Sequence, residues 1–162
     1  MSLVIRRSQI DNAGCYTNTP IKKGTQIIEY RGPRLTVAQA NKKYKNAERT
    51  YLFGLDDGKT IIDGEGTAAF MNHSCDPNCE PDEIGGRVWI FSLRNIKAGE
   101  ELTYDYSLYD GELDDESICH CKTKNCRGTM YSEEEMERRK KLLKKQAAAK
   151  KKKAALRKKR AK

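Results

Sequence analysis

The 162-residue chain holds one Trp, three Phe and two His, and its apolar runs are short. None approaches the ~20 apolar residues of a membrane-spanning helix, so no membrane is expected among its partners. Only Leu3-Val4-Ile5 precedes Arg6-Arg7, too short an apolar stretch for a secretory leader. These absences point to an intracellular protein, where thiols stay reduced and the six Cys bind metal or pack rather than form disulfides. The scarcity of His also narrows the chemistry. A cysteine nucleophile would have to be activated by His73 alone, because His120 stands between two Cys of metal-binding spacing. The length suits one domain and one active site.

Acidic residues are missing altogether from 138–162, which holds 15 of the 32 Lys and Arg and leaves 17 basic against 23 acidic residues elsewhere. The net charge of +9 therefore hides a body of −6 and a tail of +15. An acidic body attracts a basic partner, whereas the tail suits phosphate, anionic surfaces or the body itself. Sequence-independent nucleic-acid binding is one expectation for 138–162. Lys150 to Lys153 and Arg157 to Arg160 also have the composition of a nuclear-localisation patch.

Three segments differ in composition. From Leu3 to about Tyr106, short β-branched and aromatic runs alternate with Gly and Asp-Gly turns, which predicts many short strands. Val88 to Leu93 is the longest apolar run and reads as a mostly buried strand. Thr36 to Lys45 is the one helix expected here, capped by Thr36 with Val37, Ala40 and Tyr44 on one face. From Ser107 to about Tyr131 the chain is polar and rich in Asp and Cys, so it needs a staple. Ser132 to Glu135 reads as a capping box opening a solvated helix to about Ala149, after which fraying or disorder is expected.

Cys119, Cys121 and Cys126 place three thiols in eight residues. Tetrahedral zinc takes four ligands, commonly Cys and His, and such a closed site stabilises a segment that lacks a core. His120 is one choice for the fourth, but it lies between two of these ligands with little freedom to reach the same ion, and a distant Cys, from Cys15, Cys75 and Cys79, is more comfortable. Asn72-His73-Ser74-Cys75-Asp76-Pro77-Asn78-Cys79 mixes polar donors with turn formers and is ambiguous alone.

The order of these segments resembles the SET-domain family of protein-lysine methyltransferases over roughly residues 4–130. The family's Gly-x-Gly loop corresponds to Asn12-Ala13-Gly14, followed by Cys15-Tyr16, and its Tyr-x-Gly element to Tyr30-Arg31-Gly32. Tyr51-Leu52-Phe53 matches its aromatic strand, Asn72 to Asn78 its Asn-His-Ser-Cys-x-Pro-Asn motif, and Glu101 to Tyr106 its Glu-Leu-x-x-Asp-Tyr motif. Cys119, Cys121 and Cys126 with Arg127-Gly128 look like its post-SET cluster. There are two departures: Asn12 replaces a Gly, tolerable if that position needs positive φ, and Ala68-Ala69 stands where an Arg often precedes Phe.

The resemblance implies a mostly β, β-clip-like fold of small antiparallel sheets, with a knot-like threading of Glu101–Tyr106 through the Asn72 region and a C-terminal basic helix. It implies a SET domain at 1–106, a post-SET zinc segment at 107–131 and a basic tail at 132–162. S-adenosylmethionine would be held by Asn12, Ala13, Gly14, Tyr16, Tyr51, Asn72, His73 and Tyr106. Tyr106 and Tyr104 would be catalytic, while Tyr30, Tyr51, Phe53 and Tyr104 would line the lysine channel. Structural zinc would sit on Cys75, Cys119, Cys121 and Cys126. The implied reaction methylates lysine in a basic protein, histone or histone-like, and Tyr104 implies mainly mono-methylation. The location would be nuclear or chromosomal in a eukaryote, and cytoplasmic, nucleoid or host-directed in a bacterium. The competing readings are a catalytically weak zinc module and a nucleic-acid-associated protein acting through its tail.

Overall fold

A computed structural model describes residues 2–47, 49–109, 111, 113 and 115–160, with 154–160 as backbone only. The end of the basic tail at 161–162, and the side chains of the Arg157–Arg160 patch, lie outside the described residues. The chain divides into two compact units, Met1–Asp105 with His120–Cys126, and Tyr106–Cys119 with Arg127–Lys162. Among the described residues no helix is long and apolar enough to cross a membrane.

The first unit is built of three small sheets, as the fragmented strand pattern predicts. In one, β3 (Gln26–Tyr30), β9 (Arg87–Ser92) and β8 (Cys79–Ile84) lie in the order β3-β9-β8. The apolar run at Val88 is thus the central strand, with Val88, Ile90 and Ser92 buried at the two-residue period of a pleat. Gly85 and Gly86 both take positive φ, 59° and 71°, which is what the tight β8–β9 turn demands. A second sheet orders β4 (Arg34–Thr36), β6 (Thr60–Asp63) and β5 (Leu52–Gly54) as β4-β6-β5.

Helix α1 (Val37–Tyr44) follows β4 with the expected Thr36 cap, reciprocated by the Gln39 side chain. Ala40 is its buried residue, whereas Val37, grouped with it by spacing, stays 41% exposed. The second sheet and the first share a core of Tyr30, Leu55, Ile62, Ala68, Ala69 and Val88, against which Ile28 and Phe53 pack.

The third sheet carries the motifs. Its order is β1 (Leu3–Arg7), β2 (Ala13–Thr17), β10 (Glu101–Tyr104), β7 (Asn72–His73). β10 runs antiparallel to β2 and parallel to β7, with Thr103 opposite Asn72 and Tyr104 opposite His73. The expected insertion of the Glu101 segment beside Asn72 is therefore present, and the fold is mostly β with a C-terminal helix.

Among the described residues the second unit has no named strand, and isolated bridges join Leu108 to Tyr131 and Ile118 to Thr129. Its helix α2 (Glu133–Arg160) corrects two expectations. It does not stop near Ala149, because residues 133–160 contain no Gly or Pro and are rich in strong helix formers. Nor is it solvated all round, since Glu135 and Arg139 are 4% and 7% exposed. Ser132 Oγ accepts the Glu135 amide at 3.1 Å, but the Glu135 carboxylate is taken by Arg138 and Arg139. The cap is thus one-sided rather than the reciprocal box expected.

Candidate functional site

The Asn12–Gly14 loop enters β2 with Asn12 at φ 33°, the left-handed backbone that Asn tolerates better than most residues. The substitution of Asn for Gly is therefore compatible with this loop. Gly14 is required for a different reason: a Cβ there would fall on Glu101 Oε1.

Glu101 occupies that space as a hub. Its Oε1 accepts the Asn72 amide at 2.8 Å, and its Oε2 accepts Ser8 Oγ at 2.9 Å and Tyr16 OH at 2.8 Å. Asn72 Nδ2 also reaches the carbonyls of Ala13 at 3.0 Å and Asp11 at 3.3 Å. One side chain of the Asn-His-Ser-Cys motif thus pins the loop to β10. Partial burial, reinforced by the Glu101 carboxylate, raises the Tyr16 hydroxyl pKa, so Tyr16 donates as a neutral phenol.

Glu101 and Asn78 have no site role in the sequence reading. Buried Asn78 donates to the Glu101 carbonyl at 2.8 Å and accepts the Thr103 amide at 2.9 Å, fixing the β10 backbone. The signal for both lies in the motifs, where each is the polar residue at an otherwise strand-like or turn-like position. His73, 2% exposed, sits with Nδ1 at 3.4 Å from Asp105 Oδ1 and Nε2 at 3.3 Å from Cys75 Sγ.

The contacts of the four residues expected to line a lysine channel can be followed ring by ring. Phe53 bridges Tyr30 and Tyr104, with ring centroids at 5.3 Å and 6.3 Å. Tyr51 instead packs on Phe70 at 5.6 Å and is 37% exposed. Tyr30 is buried and donates its hydroxyl to the Tyr51 carbonyl at 2.9 Å, and it belongs to the apolar core. A wall of aromatic rings ending in Tyr104 suits a methylene stem with a cationic head. Tyr106 follows β10 by two residues and is half-buried.

The sulfurs of Cys75, Cys119, Cys121 and Cys126 all lie within 4.8 Å of one another. Thiolates at ~2.3 Å from one tetrahedral ion stand about 3.8 Å apart, so this donor set fits zinc with a small contraction. Of the three open choices for the fourth cysteine, the geometry takes Cys75. Cys15 and Cys79 are fully buried, and burial pushes both thiols up to about 12, with Glu101 adding to the first and Cys15 to the second. They are neutral packing groups. His120 is exposed and outside the cluster.

Residues 12–107 match the family model of the SET domain. The chain is similar to the histone-lysine N-methyltransferase, H3 lysine-4 specific, of Eremothecium gossypii, with 41% identity over 138 residues, 76% of this chain and 14% of that protein. It is similar to the protein of the same name in Saccharomyces cerevisiae, with 40% identity over 142 residues, 79% of this chain and 13% of that one. Human histone-lysine N-methyltransferase 2D is 36% identical over 141 residues, 80% of this chain and 2% of that protein. The chain thus spans at most 14% of the length of these relatives.

Proposed function

The chain belongs to the SET-domain family, and on that premise we propose that it is a protein-lysine N-methyltransferase using S-adenosylmethionine and stapled by structural zinc. The observation that carries this reading is the Asn72–Glu101 junction, which joins the Asn12–Gly14 loop to β10 two residues ahead of Tyr106. When bound, S-adenosylmethionine supplies an electrophilic methyl on a sulfonium. The loop fits such a group, since Asn12 at positive φ presents its backbone and the Asn72 amide holds the loop carbonyls from behind. Asn12, Ala13, Gly14, Tyr16, Tyr51, Asn72, His73 and Tyr106 would hold it.

The chain's own residues then have two tasks, alignment and desolvation. A free lysine titrates at about 10.4 and is an ammonium at neutral pH. Transfer from water to the wall of Phe53 and Tyr104 favours the neutral amine, and the proton leaves to solvent before transfer. The Tyr106 hydroxyl orients the amine nitrogen toward the methyl, and the Tyr104 hydroxyl holds a water where a methylated amine would need room. The product is therefore mainly mono-methyl lysine.

The −6 charge of residues 1–137 favours a basic substrate, and the relatives' names point to lysine 4 of histone H3 or a tail like it. In a nucleated cell its site of action would then be chromatin. Incubation with histone H3 and labelled methyl donor, followed by mass spectrometry, tests the proposal. Mono-methyl peptide is expected, with Tyr106→Phe lowering the rate by about 100-fold through lost alignment and Tyr104→Phe raising the methylation state. Trimethyl product from the unmodified enzyme would refute the Tyr104 assignment, and failure to bind S-adenosylmethionine would refute the enzyme.

A further inference from the structure

Residues 133–153 of α2 form a helical surface whose far side can be read residue by residue. Within the second unit, α2 is moored at its start. Arg139 donates to Glu135 at 2.9 Å, to the Asp115 carbonyl at 3.0 Å and to the Gly111 carbonyl at 3.2 Å, and its guanidinium lies 3.6 Å over the Tyr131 ring. The mooring fixes which side of the helix faces protein. At 3.6 residues per turn, Lys141, Lys144, Lys145, Lys151 and Lys152 fall within an arc of about 120° on the side away from Arg139, along about 16 Å of axis. All five are exposed.

Glu137 stands one turn before Lys141, but no acidic residue follows it, so Lys144, Lys145, Lys151 and Lys152 have no helix partner of opposite charge one turn before or after them. Lys140/Lys144 and Lys141/Lys145 are like-charge i,i+4 pairs, each destabilising by roughly 0.2–0.5 kcal/mol until an anion screens them. The identity of that anion follows from what the helix lacks. A membrane-surface helix needs a broad apolar face with aromatic or Leu anchors, but between Lys140 and Lys153 the large apolar residues are Leu142 and Leu143 alone. Single-strand binders stack bases on aromatic side chains, and residues 132–162 contain none. Among anions outside the chain itself, what remains is a continuous polyanion read through charge, the phosphate backbone of a duplex.

We propose that the Lys141–Lys152 face of α2 is a docking surface for duplex nucleic acid, bound through its phosphates without sequence preference. It is independent of the methyl-transfer reading, because binding is measured without turnover. The test titrates the full chain onto a short mixed-sequence DNA duplex over a salt series, with phosphatidylserine vesicles as the competing anionic surface. Two variants of equal charge change are compared: Lys141, Lys144, Lys145, Lys151 and Lys152 to Gln, and the exposed Lys22, Lys23, Lys42, Lys59 and Lys97 to Gln. Gln keeps helix propensity, so the first set leaves α2 formed.

Five phosphate contacts predict a slope of about −4.5 in log affinity against log salt, and so a loss of about 500-fold for a fourfold rise in salt. The α2 variant should flatten that slope by about 4, while the second set leaves most of it. Equal weakening by both sets would reduce the effect to net charge and overturn the surface. Vesicle binding as tight as duplex binding, or a slope unchanged in the α2 variant, would overturn it as well.

Discussion

The two units of this chain are held together by different physics. Among the described residues, the first contains all ten strands and nearly all of the buried apolar side chains, Met71, Ile90, Ile96 and Leu102 among them. Among the described residues, the second adds only Cys119 and Tyr131 to that buried apolar set. Its order rests instead on Arg139, Glu135 and Asp115, while the cysteine segment rests on a four-thiol cluster. Where apolar burial is absent, directional bonds must supply the stability, and such bonds fail abruptly when one partner is removed. Each unit should therefore be vulnerable to a different insult. Trp89 on β9 reports the first unit alone, and far-UV ellipticity is dominated by α2.

Zinc removal should separate them most. Structural zinc is worth about 10–16 kcal/mol of apparent binding energy at neutral pH. Chelation, or Cys75→Ser, should abolish amide-exchange protection through 117–130 while Trp89 fluorescence keeps its folded value. Methyl transfer should fall with zinc content in the Cys75→Ser protein, because Cys75 lies 3.3 Å from His73. Full activity in a zinc-free Cys75→Ser protein would show that the staple and the site are uncoupled.

Arg139→Ala comes next, at about 3 kcal/mol, since it strips a buried carboxylate of one of its two partners and orphans two carbonyls. Exchange should quicken around Gly111, Asp115 and the first turns of α2, with no change in β8 or β9. Arg139→Lys should recover little, as an ammonium cannot reproduce the fork over Tyr131. Gly14→Ala tests the first unit's own tight point. Its Cβ would displace the Glu101 carboxylate, at about 2 kcal/mol for overpacking, and raise the KM for the methyl donor. In a Glu101→Ala background the same change should cost much less, and a cycle showing simple additivity would remove Glu101 from the loop's support.

How far the sequence could be read differs between the units for the same reason. Motifs in the first unit have fixed register: Asn72, Glu101 and Gly14 meet because strand pairing leaves them no alternative, and the long apolar run at Val88 marked β9 in advance. Cys75 as fourth ligand came from resemblance, since spacing alone left Cys15 and Cys79 equally open. The polar moorings were not legible. Glu135/Arg139 looks like any exposed i,i+4 pair until Tyr131 and the loop carbonyls close over it, and the reach of α2 past Ala149 depends on backbone propensity that charge repulsion obscures. The packing of Tyr51 on Phe70 was not legible either, because aromatic residues mark a wall without saying which rings meet.

Acid should give the smallest separation. Glu135 is held below the usual carboxylate range by hydrogen bonds from Arg138 and then Arg139, against the opposing effect of burial. Asp115 is held low mainly by the Ser117 amide, again against burial, with Tyr131 helping. A depressed folded pKa means that the unfolded chain binds the proton first, so the stabilisation is complete above the unfolded values of about 4.3 for Glu and 3.9 for Asp. It is lost as pH falls through the lower folded values. The first unit has lowered carboxylates of its own, Glu29, Asp57, Asp63 and Glu100, but its strands have an apolar core behind them. In the zinc-free chain, where thiolate protonation no longer contributes, α2 ellipticity should therefore fall below about pH 4 before Trp89 fluorescence changes. Glu135→Gln should flatten that early limb. Coincident loss of both signals in the parent chain would mean that the two units unfold as one.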